Sequence, residues 1–405
     1  MGVDDRPSSL FDHQGGTEAP WYRGRELTAE KREFFRLRSR RSHAAKLAAV
    51  ARTAVSTQAI SRPMLDPADL MPAVAAHQLP ALSLFSGGGG LDLGFTRAGF
   101  AHVAAYETLE AAGQTLRQNR PDWTVHAGVD GNVKGVDWRA HRDELAVIHG
   151  GPPCQPFSVA GRQRGREDER NLLPEFVRAV REARPLAFVA ENVAALAGPK
   201  FATYLQDHFV GPLSRDYRVT MFRLSAHDFG VPQVRHRVFF VGFRSAAAAS
   251  VFERPSPTHR ADHLRDGPAG HLGADAQTLG ARAALGLDDI GTDALAPTLR
   301  STLTGPRHTT SILSSASAQK VWAAMQIWPN GVAPTRRKAS EFPTENGHHR
   351  LAVADCAVLQ GFPSWWAFHG ATYMSLGQIG NSVAPPVAYR VALAVAGALG
   401  FASLV

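Results

Sequence analysis

The sequence predicts an α/β protein, a doubly wound, Rossmann-like sheet that carries a smaller inserted domain. Three observations lead there. From residue 80, short apolar runs alternate with helical stretches, the pattern of βαβ units. The residues with unusual chemistry fall just after those runs, where doubly wound sheets bind ligands. The alternation stops after Gly242 and helical patterning returns only near residue 350, which leaves room for an insertion.

Each element follows in order. "ALSLF" (81–85) reads as a buried strand, followed by "SGGGG" and a helix from about Leu91. "HVAAY" (102–106), "LAVIH" (145–149), "LAFVA" (186–190) and "RVFFVGF" (237–243) read as further strands. "ERPSPTH" (253–259) is a linker, and the sequence to about 350 is rich in Gly, Ala, Thr and Ser without strong periodicity. "DCAVLQGF" and "APPVAYRVALAVAGALG" read as helices. The predicted divisions are a basic, partly helical extension (1–79), a main domain (80–255), the insertion (256–350) and a return to the main domain (351–405). In the extension, positions 23 to 52 hold ten Lys/Arg against three Glu, with Thr28 placed to cap a helix and Glu30 and Glu33 in its first turns. That helix is either a solvated appendage or an arm on nucleic-acid phosphates.

Composition narrows the function. The 405 residues are 44% hydrophobic and 20% charged, an ordinary globular balance. No apolar run reaches membrane-spanning length, and the polar start "MGVDDRPSSLFDHQGG" lacks a signal-peptide core. The two cysteines, Cys154 and Cys356, make no disulfide scaffold, and no Cys/His cluster has zinc spacing. A cytoplasmic protein without a metal is expected. The net charge of +8 favours a polyanionic partner.

The chemistry sits at strand ends. Glycines in "LFSGGGGLDLGF" let backbone approach a ligand closely and leave N–H groups at a helix start; no Gly-Lys-Ser/Thr follows, so a triphosphate site is excluded. Glu107, about twenty residues on, ends the second strand, where an acid can accept both hydroxyls of a ribose. In "GGPPCQPFS" the Pro-Pro step fixes the backbone and removes two donors, which suits a rigid turn presenting Cys154. The arginine-rich stretch after it favours a thiolate, although a buried, inert cysteine is the alternative. Glu191 in "ENV" ends an apolar strand, where burial raises a carboxyl pKa and suits a general acid. Gln233, Arg235 and Arg237 alternate in "QVRHR" and so face one side. Asn381 and Ser382 in "GQIGNSVAPPVA" stand ahead of a helix, able to cap it or hold a ligand.

These segments, with "RLAVADCAVLQGFP", occur in an order that resembles the DNA (cytosine-5)-methyltransferases, of the bacterial restriction-modification type, over roughly residues 80 to 400. The resemblance implies an S-adenosylmethionine-dependent catalytic domain with an inserted target-recognition domain. It implies that Cys154 attacks carbon 6 of a flipped cytosine, that Glu191 binds or protonates ring nitrogen 3, and that Asn192 holds Glu191's loop. Arg235 would polarise the base carbonyl and steady Glu191, with Arg237 nearby. S-adenosyl-L-methionine would lie against Phe85, Ser86, Gly87 and Gly89. Glu107 would take its ribose, Asp130 would match the third cofactor segment loosely, and Pro153, Gln155, Asn381, Ser382 and Val383 would complete the pocket.

Ser158, Arg162, Gln163 and Arg164, in a loop expected to close behind the flipped base, are candidate DNA contacts. Arg300, Thr302, Arg307 and His308 in "APTLRSTLTGPRHTTSIL" are candidate readers of base edges. Two departures stand out: Ser83 occupies the place of an acidic residue, and Cys356 that of a glutamate. Double-stranded DNA is the expected partner, bound by a monomer; a cognate endonuclease would form no stable complex. An RNA cytosine-5 methyltransferase and a DNA-binding regulatory protein are the alternatives.

Overall fold

The computed structural model of the chain describes residues 58–153, 171–264, 276–303, 309–341, 344 and 347–401, and positions 28–30, 33, 36, 37 and 40 ahead of them. Its centre is a seven-stranded sheet: β1 (Pro80–Leu84), β2 (Ala101–Glu107), β3 (Val125–Ala127), β4 (Val147–Gly150), β5 (Ala187–Val193), β6 (Arg218–Ser225) and β7 (His236–Phe243). The order is β3-β2-β1-β4-β5-β7-β6, with β7 antiparallel to both of its neighbours. The chain runs outward from β1 through β2 to β3, then returns to place β4 on the other side of β1. That reversal opens the crevice of a doubly wound sheet at the carboxyl ends of β1 and β4.

The inner strands are buried on both faces, which is why they read as unbroken apolar runs. The five predicted strands are all present. The two missed strands lie at the sheet's edges. β3 has only three residues, and β6 ("RVTMFRLS") is largely exposed, so neither carries an apolar run.

One face packs under α1 (Gly90–Arg97) and the C-terminal helices; the other packs under α3 (Leu173–Ala183), where Phe176, Phe188 and Phe209 form an aromatic cluster. α2 (Glu110–Asn119) follows β2. Near the C-terminus come α4 (Val353–Gln360), α5 (Thr372–Asn381) and α6 (Pro385–Ala398). α1 and α6 touch closely: a Cβ on Gly94 would lie 2.5 Å from that of Ala388. α5 was not predicted, and it changes the reading of Asn381, which ends α5 and does not precede a helix directly.

Between β7 and α4 lie two small parallel pairs: β8 (His259–Arg260) with β9 (Ala276–Gln277), and β10 (Ile327–Ala333) with β11 (His349–Ala352). Ala281, Leu285, Ile312, Trp322 and Val332 of this stretch join the same buried apolar cluster as α1 and α6. In the N-terminal extension, the described positions 29, 30, 33, 36, 37 and 40 are helical and exposed, and Arg36 pairs with Glu33 at 3.1 Å.

Candidate active site

The crevice begins at Phe85, which leaves β1 with φ +57°, a left-handed conformation seldom taken by a bulky residue. The glycine loop turns from there. Ser86 N–H donates to Tyr106 O at 3.2 Å, and the Ser86 and Ser83 hydroxyls pair at 2.8 Å. At Gly87 (φ +55°) no atom of the described residues lies within 4 Å of the place a Cβ would take, so among them this face of the loop is open. The next glycines are crowded instead. A Cβ on Gly89 would lie 2.6 Å from the Trp366 ring, and one on Gly90 would lie 2.2 Å from Val383 O.

Glu107, at the end of β2, is locked beside the open face. Its Oε2 accepts from Gly87 N–H and its Oε1 from Leu109 N–H, each at 2.7 Å. Burial raises its pKa, and the backbone donors of Leu109, Gly87 and Thr108 hold it back. The turn after β3 packs on the same strand end, where a Cβ on Gly131 would lie 2.1 Å from Glu107 O. Asp130 stands exposed on that turn.

Across the crevice, β4 ends at Gly150, whose missing Cβ would lie 2.4 Å from Leu84 O. Gly151, Pro152 and Pro153 follow. Asn192 ties this turn to β5, donating from Nδ2 to Pro152 O at 3.0 Å while its Oδ1 accepts from Val193 N–H. Glu191 is 7% exposed, and its Oε1 lies 2.7 Å from Arg237 Nε. In the antiparallel register Val193 faces Arg237, so the arginine reaches Glu191 diagonally across the pair. Burial raises the Glu191 pKa, opposed by the charges of Arg237 and Arg235 and by the Arg237 hydrogen bond.

The roles expected of the two arginines are corrected here. Arg237, not Arg235, makes the direct pair with Glu191. Arg235 is 1% exposed and donates from Nη2 to Gly380 O at 2.8 Å and Ser382 O at 2.7 Å. A buried guanidinium needs acceptors, and the turn between α5 and α6 supplies them. Arg235 and Arg237 nonetheless line one cleft, with Leu224, Ala226, Val383 and Ala384. Gln233 lies elsewhere, donating to Leu359 O and Gln360 Oε1.

The 381–383 turn therefore serves both halves. Ser382 and Val383 are buried against the glycine loop, and Asn381 is exposed. Arg300 is also exposed, and its backbone crosses Gly380, where a Cβ would lie 2.8 Å from Arg300 C. Thr302 is a second correction. It is 2% exposed, and its hydroxyl donates to Tyr373 O, so it faces the interior and anchors its loop. Cys154, Gln155, Ser158, Arg162, Gln163, Arg164, Arg307 and His308 lie outside the described residues.

The sequence reading missed two contributors. Trp366 donates from its indole N–H to Gly88 O at 3.1 Å and walls the loop; the signal was the aromatic run "WWAF" ahead of α5. Asp92 is the buried acid of this corner, on α1 near the Ser83–Ser86 pair. Neither of its oxygens has a hydrogen bond of ordinary geometry among the described residues, and burial pushes its pKa up to about 7. An acid inside the apolar "GLDLGF" was the signal. The carboxylate thought replaced by Cys356 also exists, one residue earlier: Asp355 Oδ2 accepts from Ala352 N–H at 2.9 Å and caps α4, while Cys356 is buried.

A model of the family described as C-5 cytosine-specific DNA methylase matches residues 79–396. The chain belongs to this family. Among similar proteins, the type II methyltransferase M.NgoMIV of Neisseria gonorrhoeae is 35% identical over 316 residues, covering 78% of this chain and 96% of its own length. The type II methyltransferase M.FnuDI of Fusobacterium nucleatum is 32% identical over 336 residues, covering 77% and 92%. Of solved structures, a protein described as a DNA modification methyltransferase of an Escherichia coli prophage aligns with a TM-score of 0.52 at 24% identity, over 80% of this chain and 100% of the other. A Spodoptera frugiperda DNMT2 variant aligns at 0.50 and 17%, over 78% and 99%. At those identities the two structures speak for the fold alone. The C-5 methylase segment thus takes in β1 to β7, both halves of the crevice and the turn between them.

Proposed function

We propose that this C-5 cytosine-specific methylase is the modification enzyme of a type II restriction-modification system, acting on a cytosine flipped from a short duplex sequence. The observation that carries this reading is the pairing, at the carboxyl ends of the parallel strands, of a buried Glu191–Arg237 couple with an open glycine face held by Glu107. The first suits a neutral, hydrogen-bonding base, and the second suits a nucleoside-bearing cofactor.

The residues fit S-adenosylmethionine. Gly87 leaves space where a side chain would intrude, and Glu107 holds both carboxylate oxygens fixed beside that space. Phe85, Ser86, Gly89, Asp130, Pro153, Gln155, Asn381, Ser382 and Val383 complete the proposed set. S-adenosylmethionine, when bound, supplies an electrophilic methyl group.

The chain's own residues make carbon 5 of cytosine reactive. The Cys154 thiolate adds to carbon 6, its electron pair forming the C–S bond while the ring gains enamine character. Glu191, whose burial favours the protonated carboxyl, donates a hydrogen bond or its proton at ring nitrogen 3 and stabilises the electron density that addition places there. Arg237 steadies that carboxyl and faces the base carbonyl; Arg235 holds the 380–382 turn. After methylation a base removes the proton on carbon 5, and expulsion of the Cys154 thiolate restores the aromatic ring. Arg300, exposed beside this turn, is the proposed DNA contact there. DNA is favoured over RNA by the family match and by the two type II relatives, and a non-catalytic role is disfavoured by the presence of Cys154, Glu191 and Arg235 in the sequence. Bisulfite sequencing of DNA from cells expressing the protein tests the reading: one short sequence context should hold protected cytosines. Unmodified DNA from cells with folded protein would defeat it.

A further inference from the structure

Residues 58–72 precede the segment that matches the family, yet they are gripped at both ends. Gln58 pairs with β11 as a strand residue would: its Nε2 donates to Arg350 O at 3.0 Å and its Oε1 accepts from Arg350 N–H at 2.9 Å. Ser61, 5% exposed, donates its hydroxyl to Asp355 Oδ1 at 2.8 Å. The same oxygen takes Arg336 Nε at 2.7 Å, and Asp355 is fully buried. Met64 and Leu65 N–H both donate to Ala284 O. Arg62 O presses on Gly286 (φ +63°), where a Cβ would lie 2.0 Å away. Beyond these contacts the chain crosses to the main sheet. Met71 O accepts from Arg97 Nε of α1, and Pro72 O accepts from Tyr389 Oη of α6, both at 2.7 Å.

We propose that residues 58–72 are a strap that sets the placement of the DNA-reading part of the chain over the cytosine pocket, with Gln58 and Ser61 as positioning residues. The inference rests on reading 256–350 as the target-recognition region. The route of the effect is short and stiff. Asp355 lies in the first turn of α4; at the other end of that helix Gln360 Nε2 donates to Ser382 O at 2.6 Å, the oxygen that Arg235 also holds. Because Gln360 and Arg235 together pin that turn, a shift at Asp355 is taken up on the side of Arg336 and the 256–350 region and not at the cofactor pocket. Removing the Ser61 hydroxyl takes one donor from a buried carboxylate, which the remaining Arg336 and Ala352 donors must then hold alone.

The test uses the full chain with Ser61→Ala, Ser61→Thr and Gln58→Ala. Steady-state methylation gives KM and kcat on a duplex carrying the methylated site, and calorimetry gives the S-adenosylmethionine dissociation constant. Ser61→Ala and Gln58→Ala should each raise KM for DNA about tenfold, the scale of a lost hydrogen bond to a charged or strand-end group. The cofactor constant should not move, and Ser61→Thr, which keeps the hydroxyl, should restore KM. An unchanged KM for DNA in either folded alanine variant overturns the strap, as does a parallel loss of cofactor affinity. Gln58→Ala decides alone if Ser61→Ala does not fold. Wild-type protein that methylates no duplex would instead count against the proposed function.

Discussion

Two glutamates stand at or near the ends of two strands of the same sheet, and their surroundings give them different work. Glu107 closes β2 with each oxygen on a backbone N–H, while Glu191 sits in β5 against the guanidinium of Arg237. Burial raises both pKa values. Backbone amides are neutral and cannot move, so they fix a carboxylate as an acceptor of stated direction. A guanidinium is a full charge on a side chain that can turn toward a substrate, leaving the carboxyl free to take or give a proton. One residue type thus becomes a binding group in one half of the crevice and a chemical group in the other.

The sharpest break between the halves comes at Cys154. Cys154→Ser should abolish methyl transfer while cofactor and DNA still bind, because only the covalent step needs the thiolate. Transfer of label from S-adenosylmethionine to duplex DNA checks it, and near-normal activity would remove Cys154 from the mechanism.

Glu191→Gln should come next, lowering kcat by about 100-fold or more, the usual scale for a lost general acid. Cofactor affinity should stay as it was. In the wild type, kcat should fall as pH rises through the raised Glu191 pKa, since the donor form is then lost. That alkaline limb should vanish in the glutamine variant; its persistence would assign the proton to another group.

Glu107→Ala should produce the mirror result. The cofactor dissociation constant should weaken by about 1–3 kcal/mol, the cost of deleting a charged acceptor. The chemical step at saturating cofactor should change little. Equal losses in kcat from both glutamate variants would erase the distinction between the halves.

The smallest effect concerns the floor the halves share. His149 lies in β4 beside Ser83 of β1, stacked on Phe95 at 4.2 Å, and burial lowers its pKa from 6.5 to about 3. The unfolded chain therefore binds this proton first as pH falls. Its contribution to stability is complete above about pH 6.5 and is lost progressively toward pH 3. Asp92, raised to about 7, acts in the opposite sense, contributing below about pH 4 and losing that contribution as pH rises through 7. Urea midpoints from pH 7.5 to 5, compared between wild type and His149→Phe, cancel the Asp92 effect. The variant should lose less stability on acidification, and identical slopes would mean His149 is not neutral in the fold.

Much of this architecture was readable from residues alone. Five buried strands announced themselves because parallel strands covered on both faces are continuous apolar runs. The glycine loop, Glu107, Glu191 and the turn before Cys154 stood out because each puts special backbone or charge at a strand end. Features that depend on partners distant in sequence stayed hidden. Period-two spacing placed Arg235 and Arg237 on one cleft but could not say which would meet Glu191, since that depends on the antiparallel register of β5 and β7. Thr302 looked like a base reader until α5, itself unpredicted, supplied the Tyr373 carbonyl it binds. Nothing near Gln58 or Ser61 foretold their contacts with Arg350 and Asp355, 292 and 294 residues further along the chain. Sequence alone determined which groups the chain owns and which local turns present them, because backbone propensity and burial pattern are written locally. Only the tertiary structure decided which buried charge meets which partner, because a buried polar group takes whichever donor or acceptor the packing brings within reach.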